Sequence, residues 1–128
     1  MPTGSCLCGS VAFKFPETDG KVTACHCGQC RKTSGHFWAA FHVPTNELEF
    51  TCDGGLVWYQ SSDWAKRGFC NTCGSSLFYK MNNENFTSIA AGSVDAPTGL
   101  TLKRHIFVKD KGDYYVIGDD GADTFEIY

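Results

Sequence analysis

Eight of the 128 residues are cysteine, and their spacing constrains this chain more than any other feature. Cys6 and Cys8 are separated by one residue, as are Cys25 and Cys27, while Cys27 and Cys30 are separated by two, as are Cys70 and Cys73. Such close pairs seldom bond to each other without strained geometry. The same spacing lets a tight turn aim two or three sulfurs at one ion. Four disulfides would suit a secreted chain. The start, Met1-Pro2-Thr3-Gly4-Ser5-Cys6, has neither a basic stretch nor an apolar run, so no secretory signal is visible. The expected compartment is the cytoplasm, where cysteine clusters of this kind are metal ligands.

Ligand counting divides the cysteines. A structural zinc takes four ligands, and a catalytic zinc takes three and keeps an open position. Cys6, Cys8, Cys70 and Cys73 make one closed site, and Cys25, Cys27 and Cys30 make an open one. Cys52 stands alone; it, His26 or His36 could instead close the second site. All-thiolate ligation suits zinc best, with an iron–sulfur cluster as the second choice. Gly9, Gly28 and Gly74 each follow a cysteine, as expected for compact turns that present N–H groups to sulfur.

Composition narrows the function classes. Hydrophobic residues make up 42% and charged residues 20%, the balance of one globular domain over 1–128. No apolar run approaches the roughly 20 residues that span a bilayer, so no membrane partner is expected. A net charge of -3 argues against a nucleic-acid partner. Arg31 and Lys32 follow Cys30, and Lys66 and Arg67 precede Cys70, so these cations either are solvated surface charge or receive an anionic substrate.

The periodicity is β-rich. Val11 to Phe15 alternates, with Val11, Phe13 and Phe15 on one face. Further strands are expected at 21–24, 37–43, 48–52, 56–60, 64–69, 77–80, 86–91 and 105–108. Asp53-Gly54-Gly55 predicts a hairpin between 48–52 and 56–60. Gln29 to Ser34 reads as one or two helical turns ended by Gly35. The tail, Asp110 to Tyr128, is expected to drape over the sheets. A metal bound by Cys6, Cys8, Cys70 and Cys73 would tie the N-terminus to the middle of the chain, a staple of on the order of 10 kcal/mol.

Three blocks carry a resemblance: Gly4-Ser5-Cys6-Leu7-Cys8-Gly9, Cys25-His26-Cys27-Gly28-Gln29-Cys30-Arg31-Lys32, and Phe69-Cys70-Asn71-Thr72-Cys73-Gly74-Ser75-Ser76-Leu77. Ala91 to Asp95 and His105 to Val108 complete the order. The chain resembles the glutathione-dependent formaldehyde-activating enzyme (Gfa, or centromere protein V) family over almost its whole length. The resemblance implies a mainly β fold of the β-tent type with two zinc ions. It places the structural ion on Cys6, Cys8, Cys70 and Cys73, and the catalytic ion on Cys25, Cys27 and Cys30. It implies a carbon–sulfur lyase acting on glutathione, or a similar thiol, and formaldehyde. Arg31, which adjoins Cys30, is the preferred clamp for a glutathione carboxylate. Where the family's tail often carries a Trp, this chain has Tyr114-Tyr115. Cys52 lies outside the family's motif, and its strand context predicts a buried small hydrophobe.

His26, His36, His42 and His105 are candidates for acid–base work. His42 and His105 fall in strand patterns and are expected to be satisfied structural histidines. The competing function is a two-zinc interaction module without catalysis. The fourth position at Cys25, Cys27 and Cys30 separates the two readings.

Overall fold

The computed structural model describes residues 1–128. Eleven short strands build it: β1 (Thr3–Ser5), β2 (Ala12–Lys14), β3 (Lys21–Cys25), β4 (Trp38–Pro44), β5 (Glu49–Cys52), β6 (Leu56–Gln60), β7 (Ala65–Cys70), β8 (Ser76–Met81), β9 (Phe86–Ala90), β10 (Thr101–Ile106) and β11 (Asp123–Thr124). One α-helix, α1 (Gly28–Ser34), joins β3 to β4. No helix is long and apolar enough to cross a membrane.

The strands form two open sheets. One has the order β1-β2-β5 and the other β11-β10-β3-β4-β9-β8-β7-β6. From β3 to β6 every pairing in the large sheet is antiparallel, while β10 runs parallel to both β3 and β11. The core lies between the sheets. Val11, Phe13 and Phe15 are buried on one face of the β2 segment, as alternation predicts, and they pack with Phe41, Val43, Leu77, Phe78 and Ile89 of the large sheet. Phe13 meets Phe78 edge-on, with ring centroids 5.2 Å apart. The close approach explains Gly4, which pairs with Phe13: a Cβ there would lie 2.6 Å from the Phe13 ring.

The expected hairpin between 48–52 and 56–60 does not form. β5 pairs with β2, and β6 pairs with β7, so the two strands belong to different sheets. Asp53-Gly54-Gly55 still turns the chain, with Leu56 N–H bonded to the Asp53 carbonyl at 3.0 Å. Both cysteine loops grip Gly55: its N–H donates to Ser10 O and its carbonyl accepts from Asn71 N–H. The turn therefore hands the chain from one sheet to the other where those loops meet. The late strand also starts and ends earlier than expected, at Thr101–Ile106. The tail does more than drape: β11 adds an edge strand in register with Arg104 and His105.

Candidate metal centre

Two groups of sulfurs converge. Cys6, Cys8, Cys70 and Cys73 form one, and Cys25, Cys27 and Cys30 form the other, with each group's ligand atoms within 4.8 Å of one another. These are the same seven cysteines that spacing grouped.

The four-cysteine group sits where the loop after β1 meets the loop from β7 to β8. Cys6 Sγ and Cys70 Sγ each lie 3.7 Å from Cys8 Sγ. A tetrahedron with zinc–sulfur bonds of about 2.3 Å has edges of about 3.8 Å, so these separations suit one zinc ion. Backbone N–H groups aim at sulfur as well: Val11 N–H to Cys6 Sγ at 3.3 Å and Thr72 N–H to Cys70 Sγ at 3.4 Å. Gly74 takes φ +79° and closes the turn on the Cys70 carbonyl at 2.8 Å, a conformation that favours glycine. The Ser10 hydroxyl draws the Cys8 thiol below its usual range, and the Ser75 hydroxyl brings Cys73 down to about 5.

The three-cysteine group is more local. Cys25 ends β3, Cys27 caps α1 and Cys30 lies inside α1. The Cys27 thiol takes the place of a capping hydroxyl and accepts the Cys30 N–H at 3.3 Å. Gly35, at φ 89°, ends the helix as expected, and its N–H bonds to the Arg31 carbonyl. Gly28, by contrast, opens α1 and has no positive φ. Cys30 packs with Trp38, Ala40 and Ala90, and Tyr79 flanks them. Neighbouring Cys25 and Cys30 thiols pull Cys27 down to about 2, and that sharing pushes Cys25 up. Three sulfurs around one shared charge suit a soft divalent ion.

No fourth donor joins this group. Cys52 is on β5 in the small sheet, exposed rather than buried, and its thiol donates to the Ser10 carbonyl at 3.2 Å. β5 is an edge strand, and its residues are all exposed, which is why the buried expectation fails. His36 Nδ1 is bonded to the Tyr114 hydroxyl at 2.7 Å. His26, although between Cys25 and Cys27 in sequence, turns into a separate polar chain.

That chain is fully buried at His26 and nearly so at His105. His26 Nδ1 meets the Tyr115 hydroxyl, His26 Nε2 lies 2.9 Å from His105 Nδ1, and His105 Nε2 lies 2.8 Å from Asp120 Oδ2. Asp120, held below the usual carboxylate range by His105, is acceptor-only, which orients the whole chain. His105 Nε2–H donates to Asp120, His26 Nε2–H donates to His105, and the Tyr115 O–H donates to His26. These residues line a cavity of about 250 Å³ with His36 and Phe37. A larger cavity, of about 590 Å³, is lined by Thr33, Ser34, Trp38, Ser75 and Ser93 among others. The three sulfurs lie outside both.

The other expected residues divide. His105 is satisfied and structural, but His42 is exposed on β4 beside Phe86, because its neighbours Phe41 and Val43 take the inward face. Lys66 stacks over Trp58, 4.5 Å from the ring centroid. Arg31 is half-buried beside Cys30, with its Nε buried and unpartnered. Arg67 is not a surface cation: it is 6% exposed and donates from Nη2 to Cys30 Sγ at 3.4 Å. Spacing gave no hint of Gln29, which accepts from Arg67 Nε at 2.8 Å, or of Asp120. Arg67 shares its strand parity with the buried Ala65, the one available sign that it points inward.

A profile of the family described as "Glutathione-dependent formaldehyde-activating enzyme" matches residues 1–110. A Schizosaccharomyces pombe protein named an uncharacterized lyase is 29% identical over 113 residues, which cover 88% of this chain and 82% of that protein. A crystal structure of a Rhodobacter sphaeroides protein superposes with a TM-score of 0.63, covering 96% of this chain and 98% of that one; at 20% identity it speaks for the fold alone. With a family match across all seven clustered cysteines, the chain belongs to the glutathione-dependent formaldehyde-activating enzyme family.

Proposed function

We propose that this protein is a cytoplasmic zinc enzyme of the carbon–sulfur lyase class, folded as one domain over 1–128. Its substrates are glutathione, or a similar thiol, and formaldehyde. In one direction the thiol sulfur bonds to the aldehyde carbon and the thiol proton ends on the carbonyl oxygen, giving the S-hydroxymethyl adduct. In the other, the carbon–sulfur bond breaks and the hydroxyl proton returns to sulfur.

The observation that carries this reading is the contrast in donor number. One group of sulfurs is complete at four, and the other stops at three with no Cys, His, Asp or Glu to close it. Zinc held by Cys25, Cys27 and Cys30 would supply the charge that keeps an incoming thiol deprotonated at neutral pH. The chain does the rest. The Cys30 N–H fixes Cys27, and the Tyr115–His26–His105–Asp120 chain anchors the loop between Cys25 and Cys27. Trp38 and Ala90 shield Cys30 from water. Arg31, half-buried beside Cys30, is the cation placed to receive a substrate carboxylate. Cys6, Cys8, Cys70 and Cys73 hold a structural zinc.

Cobalt substitution tests the reading, because cobalt reports its ligands through visible absorption. Glutathione should change the spectrum of one of the two cobalt sites saturably. The zinc protein should also speed the exchange between glutathione and its S-hydroxymethyl adduct in NMR exchange spectra. A protein loaded with two cobalt ions whose spectrum ignores glutathione would instead be an interaction module.

A further inference from the structure

Arg67 is the sole lysine or arginine among the buried residues, and three contacts fix how its guanidinium lies. Nε donates to Gln29 Oε1 at 2.8 Å, and Gln29 is itself tied through Nε2 to the Ser61 carbonyl at 3.2 Å. Nη2 donates to Cys30 Sγ at 3.4 Å. The ring of Tyr79, its cross-strand neighbour, lies 4.7 Å from the guanidinium carbon, and that of Trp38 lies 5.6 Å from it. Nη1 is buried and has no partner. A buried donor without an acceptor costs about 1–3 kcal/mol, more when it is charged. This one shares its carbon with the nitrogen already bound to a sulfur of the three-cysteine group.

Charge points the same way. A divalent ion with three thiolates carries -1, which Arg67 balances. A fourth thiolate makes the centre -2 in a setting where uncompensated charge is expensive. A neutral fourth ligand leaves the centre at -1, already balanced by Arg67, and gains no further attraction from it, whereas the added charge of a thiolate does. We propose that Arg67 is the ligand-selecting residue of this centre: Nη2 holds Cys30, and Nη1 donates to the sulfur of an anionic thiolate taken up beside it. This rests on the reading that the three-cysteine metal has an exchangeable position. It assigns Arg67 to the sulfur and leaves the substrate's carboxylates to other residues.

The experiment compares two simple ligands on the cobalt-loaded protein: 2-mercaptoethanol, a thiol without carboxylates, and imidazole, a neutral donor. In Arg67→Met, 2-mercaptoethanol should bind at least tenfold more weakly while imidazole binds as well as in the wild type, or better. Arg67→Lys keeps a cation but not the two-armed donor, and should weaken the thiol by roughly three- to tenfold; this variant decides the matter if Arg67→Met loses cobalt. Equal weakening of both ligands would mean a structural role and overturn the proposal. So would wild-type thiol affinity in Arg67→Lys. An effect on glutathione but not on 2-mercaptoethanol would make Arg67 a carboxylate clamp and overturn it too. If the wild type takes up neither ligand, the open-position reading falls and the proposal with it.

Discussion

The two sulfur groups use one residue type for different ends, and their surroundings show how. The four-cysteine group joins loops far apart in sequence, with Cys8 and Cys70 separated by 62 positions, and hydroxyls are its nearest polar company. The three-cysteine group is confined to residues 25–30 and has a buried cation against one sulfur. A closed set of four donors with neutral neighbours suits permanence. An incomplete set beside an unpartnered cationic donor suits exchange.

The largest expected effect separates the groups by stability. Cys70→Ser should remove a staple of on the order of 10 kcal/mol and leave a chain that fails to fold, read by circular dichroism. Cys27→Ser should keep the fold and lose one of two metal ions by elemental analysis. Equal melting of both variants would break the comparison. Next in size is Phe78→Ala, which strips the contact between sheets with Phe13 and Phe50. It should cost about 3–5 kcal/mol in denaturant unfolding while both metal ions are retained.

A pH series sharpens the contrast further. Burial, then His105, His36 and Lys111, lowers His26 from 6.5 to about 4. Between those values the unfolded chain takes up a proton that the folded chain refuses. Stability is therefore whole above about pH 6.5 and declines towards pH 4, by at most about 3 kcal/mol. His26→Gln should flatten that part of the profile and leave whatever slope comes from metal release. Tyr115→Phe is smaller: it removes one hydrogen bond to His26, worth about 0.5–1.5 kcal/mol. The smallest effect belongs to Cys52→Ser, because Cys52 is exposed, belongs to neither group and makes one thiol contact, to the Ser10 carbonyl, that a serine hydroxyl can also make. Its metal content and melting should match the wild type; loss of a metal ion would return Cys52 to the ligand set.

Legibility followed locality. The grouping of the seven sulfurs, the short helix ended by Gly35 and the inward face of Val11, Phe13 and Phe15 were all readable, because spacing and alternation are local properties. The hairpin failed because strand partners are chosen in three dimensions: Gly55 is gripped by loops 45 and 16 residues away, at Ser10 and Asn71. Cys52 and His42 failed for a related reason, since only sheet order tells an edge strand from an inner one and one face from the other. Arg67 was visible as a cation near a cysteine motif, but its pairing with Cys30 needs β7 to lie over α1. Asp120 and Tyr115 meet His105 and His26 through folding of the tail, which β11 pairs to β10 and Lys111 ties at the Tyr115 carbonyl.

The separation between the two groups along the chain also orders events in time. During synthesis, residues 25–30 leave the ribosome together, and three thiols within six residues can form a chelate that needs no long loop to close. Cys6 and Cys8 must wait until Cys70 and Cys73 have emerged, and then close a loop spanning half the protein. The group suited to exchange can capture an ion first, and the group suited to permanence completes last. A nascent chain short of metal would thus carry its ion at the wrong end of the hierarchy, loaded at the group of three and open where the loops of the two sheets are joined.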